Sequence, residues 1–413
     1  MTTTASTMTE LDVRADFPIL SRKIGGKRLV YLDSSNTSQK PERVIAAIDD
    51  YYRNRNANIH RGVYPLAVEA DALFEAARER IAAFTGGEAR ATIFTANATA
   101  AINLVAYSWA RASLTPQDAV LVTEMEHHAN IVPWQLATAA TGAQLRWLDI
   151  DEQGLLSLDQ LDAELATGDV KLVAVAHVSN VLGTINPVKE IVRRAHDAGA
   201  RVLIDGAQAV PQMPVDVGTI GADFYAWTGH KALGPTGIGV LQADAAVLEQ
   251  MPPFLAGGDM IERVTRERST WNELPWKFEA GTSMIAEAVG LGAAVDYLAA
   301  LGMTRAREHE RMLTAYALEQ LSALDGIQIH GPLTADARGG LVSFSVDGIH
   351  PHDLAELLGR EGVCVRASHH CAQPLMAKLG VPATTRASFA AYNVSEDVDA
   401  LIAAVRSAQR IFA

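Results

Sequence analysis

The chain has 413 residues, 49% hydrophobic and 20% charged. That balance excludes wholesale disorder, and the length excludes a single small core. A formal charge of −13 speaks against nucleic acid as the main partner, because a phosphate-binding surface needs net positive potential. No apolar run reaches membrane-spanning length, the start MTTTASTMTE lacks a basic stretch followed by an apolar one, and 2 cysteines make no disulfide framework. The expectation is a cytoplasmic protein with no membrane contact.

RLVYLD (28–33) reads as a short strand running into a turn, followed by helix-period stretches at 41–53 and 66–84. Then β-like and α-like segments alternate. ATIFT (91–95) precedes a helical 98–110, AVLVTE (119–124) precedes 130–140, and QLRWLDI (144–150) precedes 158–165. KLVAVAH (171–177) leads to a helix over 188–199, RVLID (201–205) ends in a polar turn, and DFYAWT (223–228) and IGVLQ (238–242) complete the strands. Short apolar runs between helices predict strands buried on both faces, hence a mostly parallel sheet with helices on both sides. From 285 the character changes. Helices at 285–301 and 304–323 are followed by GIQIHG, LVSFSV, a helix at 351–360, VCVRA and TTRASFAAY, which predicts a smaller α+β lobe. The expected division is an N-terminal segment 1–24 packing with the small domain, a large domain 25–284 and a small domain 285–413. No internal repeat is visible.

The strongest chemical signal is LIDGAQAV (203–210) with WTGHKALGPTGIGVL (227–241). Asp205 stands at the C-terminal end of a predicted parallel strand, where open α/β sheets place ligands. Lys231 follows the next strand, beside Thr228, Gly229 and His230, donors suited to an anion. A structural Asp–Lys ion pair is the alternative. A second signal is GVCVRASHHCAQP (362–374), which holds both cysteines. Cys364 lies in an apolar run, whereas Cys371 follows two histidines in a polar loop. For Cys371 a metal ligand, a buried bystander and a reactive thiol are all open readings.

The Asp205–Lys231 combination resembles the fold-type I pyridoxal-phosphate (PLP) enzymes, in which a lysine forms the Schiff base and an aspartate pairs with the pyridinium nitrogen. The likeness extends through YLDSSNTSQKP, NIHRG, TANATAAIN (95–103), EMEHHANIVPW (124–134), HVSNVLGTINPV (177–188) and FEAGT (278–282). VRASHHCAQPL (365–375) and TTRASFAAYN (384–393) match the C-terminal signature of Suf-type (group II) cysteine desulfurases, of the class V aminotransferase family. The resemblance covers nearly the whole chain.

It implies a large domain with a seven-stranded sheet and a smaller C-terminal domain. It also implies PLP held at Lys231 and Asp205, its phosphate at Ala98 and Thr99 with Thr228 and His230 nearby. His127 stacks on the ring, Asn180 lies towards the ring oxygen side, and Gln208 bonds the phenolic oxygen. Thr282 reaches the phosphate of a neighbouring subunit, making a homodimer. Arg386 clamps the carboxylate of L-cysteine, and Arg366, Asn180, His60 and Asn36 border the substrate. No metal is expected, since three potential ligands in consecutive positions cannot easily face one ion. Cys371 then becomes the thiol that accepts sulfur as a persulfide, with Arg366, His369 and His370 supplying positive or donor character. The sulfur passes to an acceptor protein of the SufE/SufU type for iron–sulfur cluster assembly.

The chain departs from the family pattern at Ser34, Ser35 and Asn36, where Ala or Gly is more usual, at Ala100, where Glu is frequent, and at Ser368, where Gly is common. The nearest rival reading is a selenocysteine lyase, acting on L-selenocysteine, or another C–S lyase such as a cystine lyase. Further rivals are an aminotransferase and a non-catalytic scaffold.

Overall fold

A computed structural model describes residues 11–412. The alternating segments build one seven-stranded sheet. Its spatial order is Thr92–Thr95, Gly239–Ala243, Phe224–Thr228, Arg201–Asp205, Val170–Ala176, Ala119–Thr123 and Gln144–Leu148. All neighbours are parallel except those made by Gly239–Ala243, which is antiparallel to both of its partners.

Successive side chains feed opposite layers, as the two-residue strand period requires. Leu121, Val173, Val202, Ile204 and Trp227 join one core, and Val120, Val122, Leu172, Leu203 and Ala226 join the other. The connecting helices end where local chemistry says they should. Ser157 accepts from the Gln160 amide to start Leu158–Leu165, and Gly142, at φ 81°, closes Val132–Thr141.

The second lobe is an antiparallel four-stranded sheet in the order Ile327–His330, Leu341–Val346, Thr384–Ser388, Arg366–Ser368. Side chains of the helices Met303–Ser322, Pro351–Arg360 and Ser395–Phe412, among them Leu313, Leu354 and Leu401, join Phe344 in its core. Two observations differ from the division expected at 25 and 284. Val30–Tyr31 pairs in parallel with Val363–Cys364, and Val30 and Leu32 belong to the small-lobe core. The helix Ile285–Leu301 belongs to the large lobe, its Ile285, Leu291 and Val295 joining that core. Its two carboxylates, Glu287 and Asp296, fall on opposite sides of an otherwise apolar helix, so its sequence shows no single polar face from which its side could be chosen.

Of the expected N-terminal segment, residues 1–10 lie outside the described residues. Leu11 donates its amide to His309 Nδ1 at 3.2 Å, and the Phe17 ring meets Tyr392 at 4.7 Å. Among the described residues no single helix is long and apolar enough to cross a membrane.

Candidate active site

The parallel strands end beneath the small lobe in a cavity of 210 Å³. Sheet register sets Asp205 opposite Ala226, and the chain then leaves Phe224–Thr228 through the tight turn Gly229–Lys231, which brings Lys231 to the same cavity. Burial raises the Asp205 pKa, although the Ala207 amide, donating to Oδ1 at 2.9 Å, and Lys231 both oppose the rise. Burial lowers Lys231 to about 8, against the pull of Asp205. A fraction of this amine is therefore neutral at ordinary pH.

Ala98 and Thr99 open the helix that follows Thr92–Thr95, and both line the cavity. Their amides belong to the first turn, which has no internal acceptors. Asn97 caps that turn by accepting from the Ala100 amide at 2.9 Å. Gly239 permits this approach, because a Cβ there would lie 2.2 Å from the Asn97 carbonyl carbon. His127 accepts the Ala129 amide on Nδ1 at 3.0 Å, which leaves Nε2 to carry the ring proton. Burial, reinforced by Lys231, pushes His127 down to about 3, so the ring is neutral.

Thr228, His230, Asn180 and Gln208 line the cavity as well, each engaged within the protein. The Thr228 hydroxyl meets the Ile238 carbonyl at 3.5 Å, and His230 Nδ1 lies 3.2 Å from the Thr37 hydroxyl. Gln208 Nε2 donates to the Ser35 carbonyl at 2.8 Å. Asn180 Nδ2 donates to the His370 carbonyl at 2.7 Å and so holds the cysteine loop.

The two arginines are cross-strand neighbours, Arg366 facing Arg386 in the small sheet. Like charges in register repel, so each needs acceptors. Arg386 donates from Nη1 to the Asn180 carbonyl at 2.7 Å and from Nη2 to Asp33 at 3.3 Å, while its buried Nε has no partner. Burial lowers Arg386 to about 10, still a cation at neutral pH. Arg366 donates to Asn36 Oδ1 at 2.5 Å and to the Ser368 hydroxyl at 3.2 Å, and its Nη2 lies 4.0 Å from Cys371 Sγ.

Cys371 sits on strained backbone. His370 and Cys371 both have positive φ, 51° and 55°, which side-chain-bearing residues rarely adopt. The strain is held by the His128 amide on the Cys371 carbonyl at 2.7 Å, by the Cys371 amide on His369 Nδ1 at 3.1 Å, and by Asn180. The His370 ring bonds Thr384 at 3.0 Å rather than the sulfur, and burial pushes it down to about 2. Cys364 is half-buried, and burial together with Asp33 raises its pKa, which makes it the less reactive thiol.

Two expected site residues are not brought to this cavity by their own chain. Thr282 is exposed. His60 pairs with Asp71 at 3.2 Å, and its ring lies edge-on to Phe74 and Trp276. Its placement beside the substrate is not what the single chain displays; the rings that hold it are on the large lobe. Conversely, the sequence reading passed over Asp33 and Lys40. Lys40 Nζ donates to the His230 carbonyl at 2.8 Å, and burial lowers it to about 7. Asp33 carries the same signal as Asp205, a carboxylate closing a short apolar strand.

A doubly covered α/β sheet with a partly neutral lysine and a buried carboxylate on one cavity suits an enzyme that carries a carbonyl cofactor on its lysine. The chain belongs to the aminotransferase class-V family, whose model matches residues 30–401. It is 53% identical to a probable cysteine desulfurase of Halobacterium salinarum and 49% identical to a cysteine desulfurase of Haloferax volcanii, each match covering 97% of both chains. Two solved structures are similar. A cysteine desulfurase from Escherichia coli has 39% identity and a TM-score of 0.89, covering 97% of this chain and 98% of that one. The apo cysteine desulfurase from Thermococcus onnurineus NA1 has 36% identity and a TM-score of 0.92, covering 98% of both chains. Members of this family depend on PLP. The residues here fit that cofactor: a partly neutral lysine, a buried carboxylate at the same cavity and a helix start with free amides.

Proposed function

We propose that this chain is a PLP-dependent cysteine desulfurase, converting L-cysteine to L-alanine and leaving the sulfur as a persulfide on Cys371. The observation that carries the reading is the meeting of Lys231, Arg386, Arg366 and Cys371 on one cavity. PLP would be held by Lys231 and Asp205, with its phosphate at Ala98, Thr99, Thr228 and His230 and its ring beside His127, Asn180 and Gln208. When bound it supplies an electron sink next to the substrate Cα.

The chain's own groups do the rest. Arg386, with Asn180 and Asp33 fixing its plane, offers a fork to the substrate carboxylate. Lys231 in its neutral form takes the Cα proton. The Cys371 thiolate attacks the substrate sulfur: an S–S bond forms and the C–S bond breaks. The bonding pair stays with the carbon skeleton, which takes up one proton at Cβ and regains one at Cα from Lys231 to become alanine. Asn36 borders the substrate. In a homodimer, Thr282 and His60 would serve the neighbouring subunit's site. The persulfide passes to an acceptor protein of the SufE/SufU type for iron–sulfur cluster assembly in the cytoplasm. The selenocysteine-lyase alternative is not favoured by relatives that are named cysteine desulfurases.

The test gives L-cysteine and a reductant to the wild type and to Cys371→Ala and quantifies alanine and sulfide. Equal amounts of both from the wild type, lost in the variant while the cofactor spectrum is normal, support the reading. Undiminished turnover in the variant overturns it.

A further inference from the structure

We propose that Asn36 and Ser368 are positioning residues that lock Arg366 onto the Cys371 sulfur. This deepens the desulfurase reading and rests on it for the purpose of the lock, though not for the geometry.

Arg366 has three nitrogens. Nη1 donates to Asn36 Oδ1 at 2.5 Å, Nε donates to the Ser368 hydroxyl at 3.2 Å, and Nη2 lies 4.0 Å from Cys371 Sγ. Two acceptors on two edges of a planar fork fix its plane, so the third nitrogen has one direction left. Each acceptor is itself anchored. Asn36 Nδ2 donates to Asp33 Oδ2 at 3.1 Å, and the Ser368 hydroxyl accepts the His370 amide at 2.8 Å. The lock therefore joins two separate segments through Arg366: the turn after residue 33 and the strand leading into the cysteine loop.

Both positions depart from the Ala and Gly that the family resemblance leads one to expect, and neither Ala nor Gly has a side-chain oxygen to accept from Arg366. Without these acceptors Arg366 would face Arg386 across the sheet with nothing to aim it. A cation held 4.0 Å from the sulfur complements the negative charge that the attacking sulfur carries in the transfer step. The lock acts through Arg366, on the sulfur and not on the carboxylate site.

The experiment measures alkylation of Cys371 by iodoacetamide in the holoenzyme without substrate, in a Cys364→Ala background, with the modified peptide identified by mass. Arg366→Met, Asn36→Ala and Ser368→Ala should each slow alkylation, the last two by roughly threefold to fivefold. The double variant Asn36→Ala/Ser368→Ala should be no slower than Arg366→Met, because all act through one guanidinium. Ser368→Thr keeps the hydroxyl and should alkylate at the wild-type rate, an outcome that mere loosening of the loop does not predict.

Wild-type rates in Asn36→Ala and Ser368→Ala would overturn the proposal. So would further slowing by either change when Arg366 is already Met. The wild type's failure to release alanine from L-cysteine sinks the desulfurase reading separately and leaves the alkylation result standing.

Discussion

Lys231, half-buried at the cavity, and Arg386, fully buried, are both desolvated cations, and desolvation gives them different uses. For Lys231 the active form is the unprotonated amine, and a value lowered to about 8 from 10.5 brings that form within reach. Protonation blocks nucleophilic attack, so the rate of PLP uptake by cofactor-free protein rises with pH and levels off above about 8. Between pH 7 and pH 9 the neutral fraction grows roughly tenfold. Stopped-flow absorbance should follow it, and a flat rate over that interval would refute the assignment. Arg386 stays charged even at about 10. Two of its nitrogens are spent on Asn180 and Asp33, which fixes the fork's plane. Arg386→Lys keeps the charge but not the plane, and should raise KM for L-cysteine by about tenfold or more while kcat falls less. Initial rates across substrate concentration check this, and an unchanged KM would move the carboxylate elsewhere.

At the scale of elements the cavity depends on close approaches between segments distant in sequence. Gly239, at the start of the antiparallel strand, lies against Asn97, so that a Cβ would sit 2.2 Å from backbone carbon. Backbone cannot swing away as a long side chain can, and Gly239→Ala should push the Asn97–Thr99 turn off its place. The expected result is a PLP dissociation constant raised about tenfold or more. Gly257→Ala, with nothing within 4 Å of the added Cβ, should leave it unchanged. Such contacts mark the limit of what the sequence shows. Asp205 and Lys231 were legible because each follows an apolar run whose end is visible in the chain itself. The side of the sheet taken by Ile285–Leu301 was not, because that helix has no polar face. Nor was the support of Cys371, since Asn180 and His128 reach its loop through backbone carbonyls that no side-chain pattern announces.

For the whole molecule the outstanding residues are those the resemblance places at the site and the single chain does not. Thr282 is exposed, and His60 lies outside the cavity, a few residues in sequence from Val63, Tyr64 and Val68, which are 96%, 53% and 54% exposed. Scattered exposed apolar residues are ordinary, but three beside a displaced site residue fit a surface covered by a second copy. Light scattering should then give twice the chain's 44.2 kDa. The sharper test mixes two defective chains. Lys231→Ala subunits lack their own cofactor lysine but carry an intact Thr282, and Thr282→Val subunits have the reverse. If Thr282 serves the neighbour, a mixed dimer contains one whole site, built from Lys231 of one subunit and Thr282 of the other. Homodimers of Thr282→Val should hold PLP weakly, and refolding the two variants together should restore tight binding to part of the sites. A monomer, or Thr282→Val protein that retains PLP as the wild type does, would confine each site to a single chain.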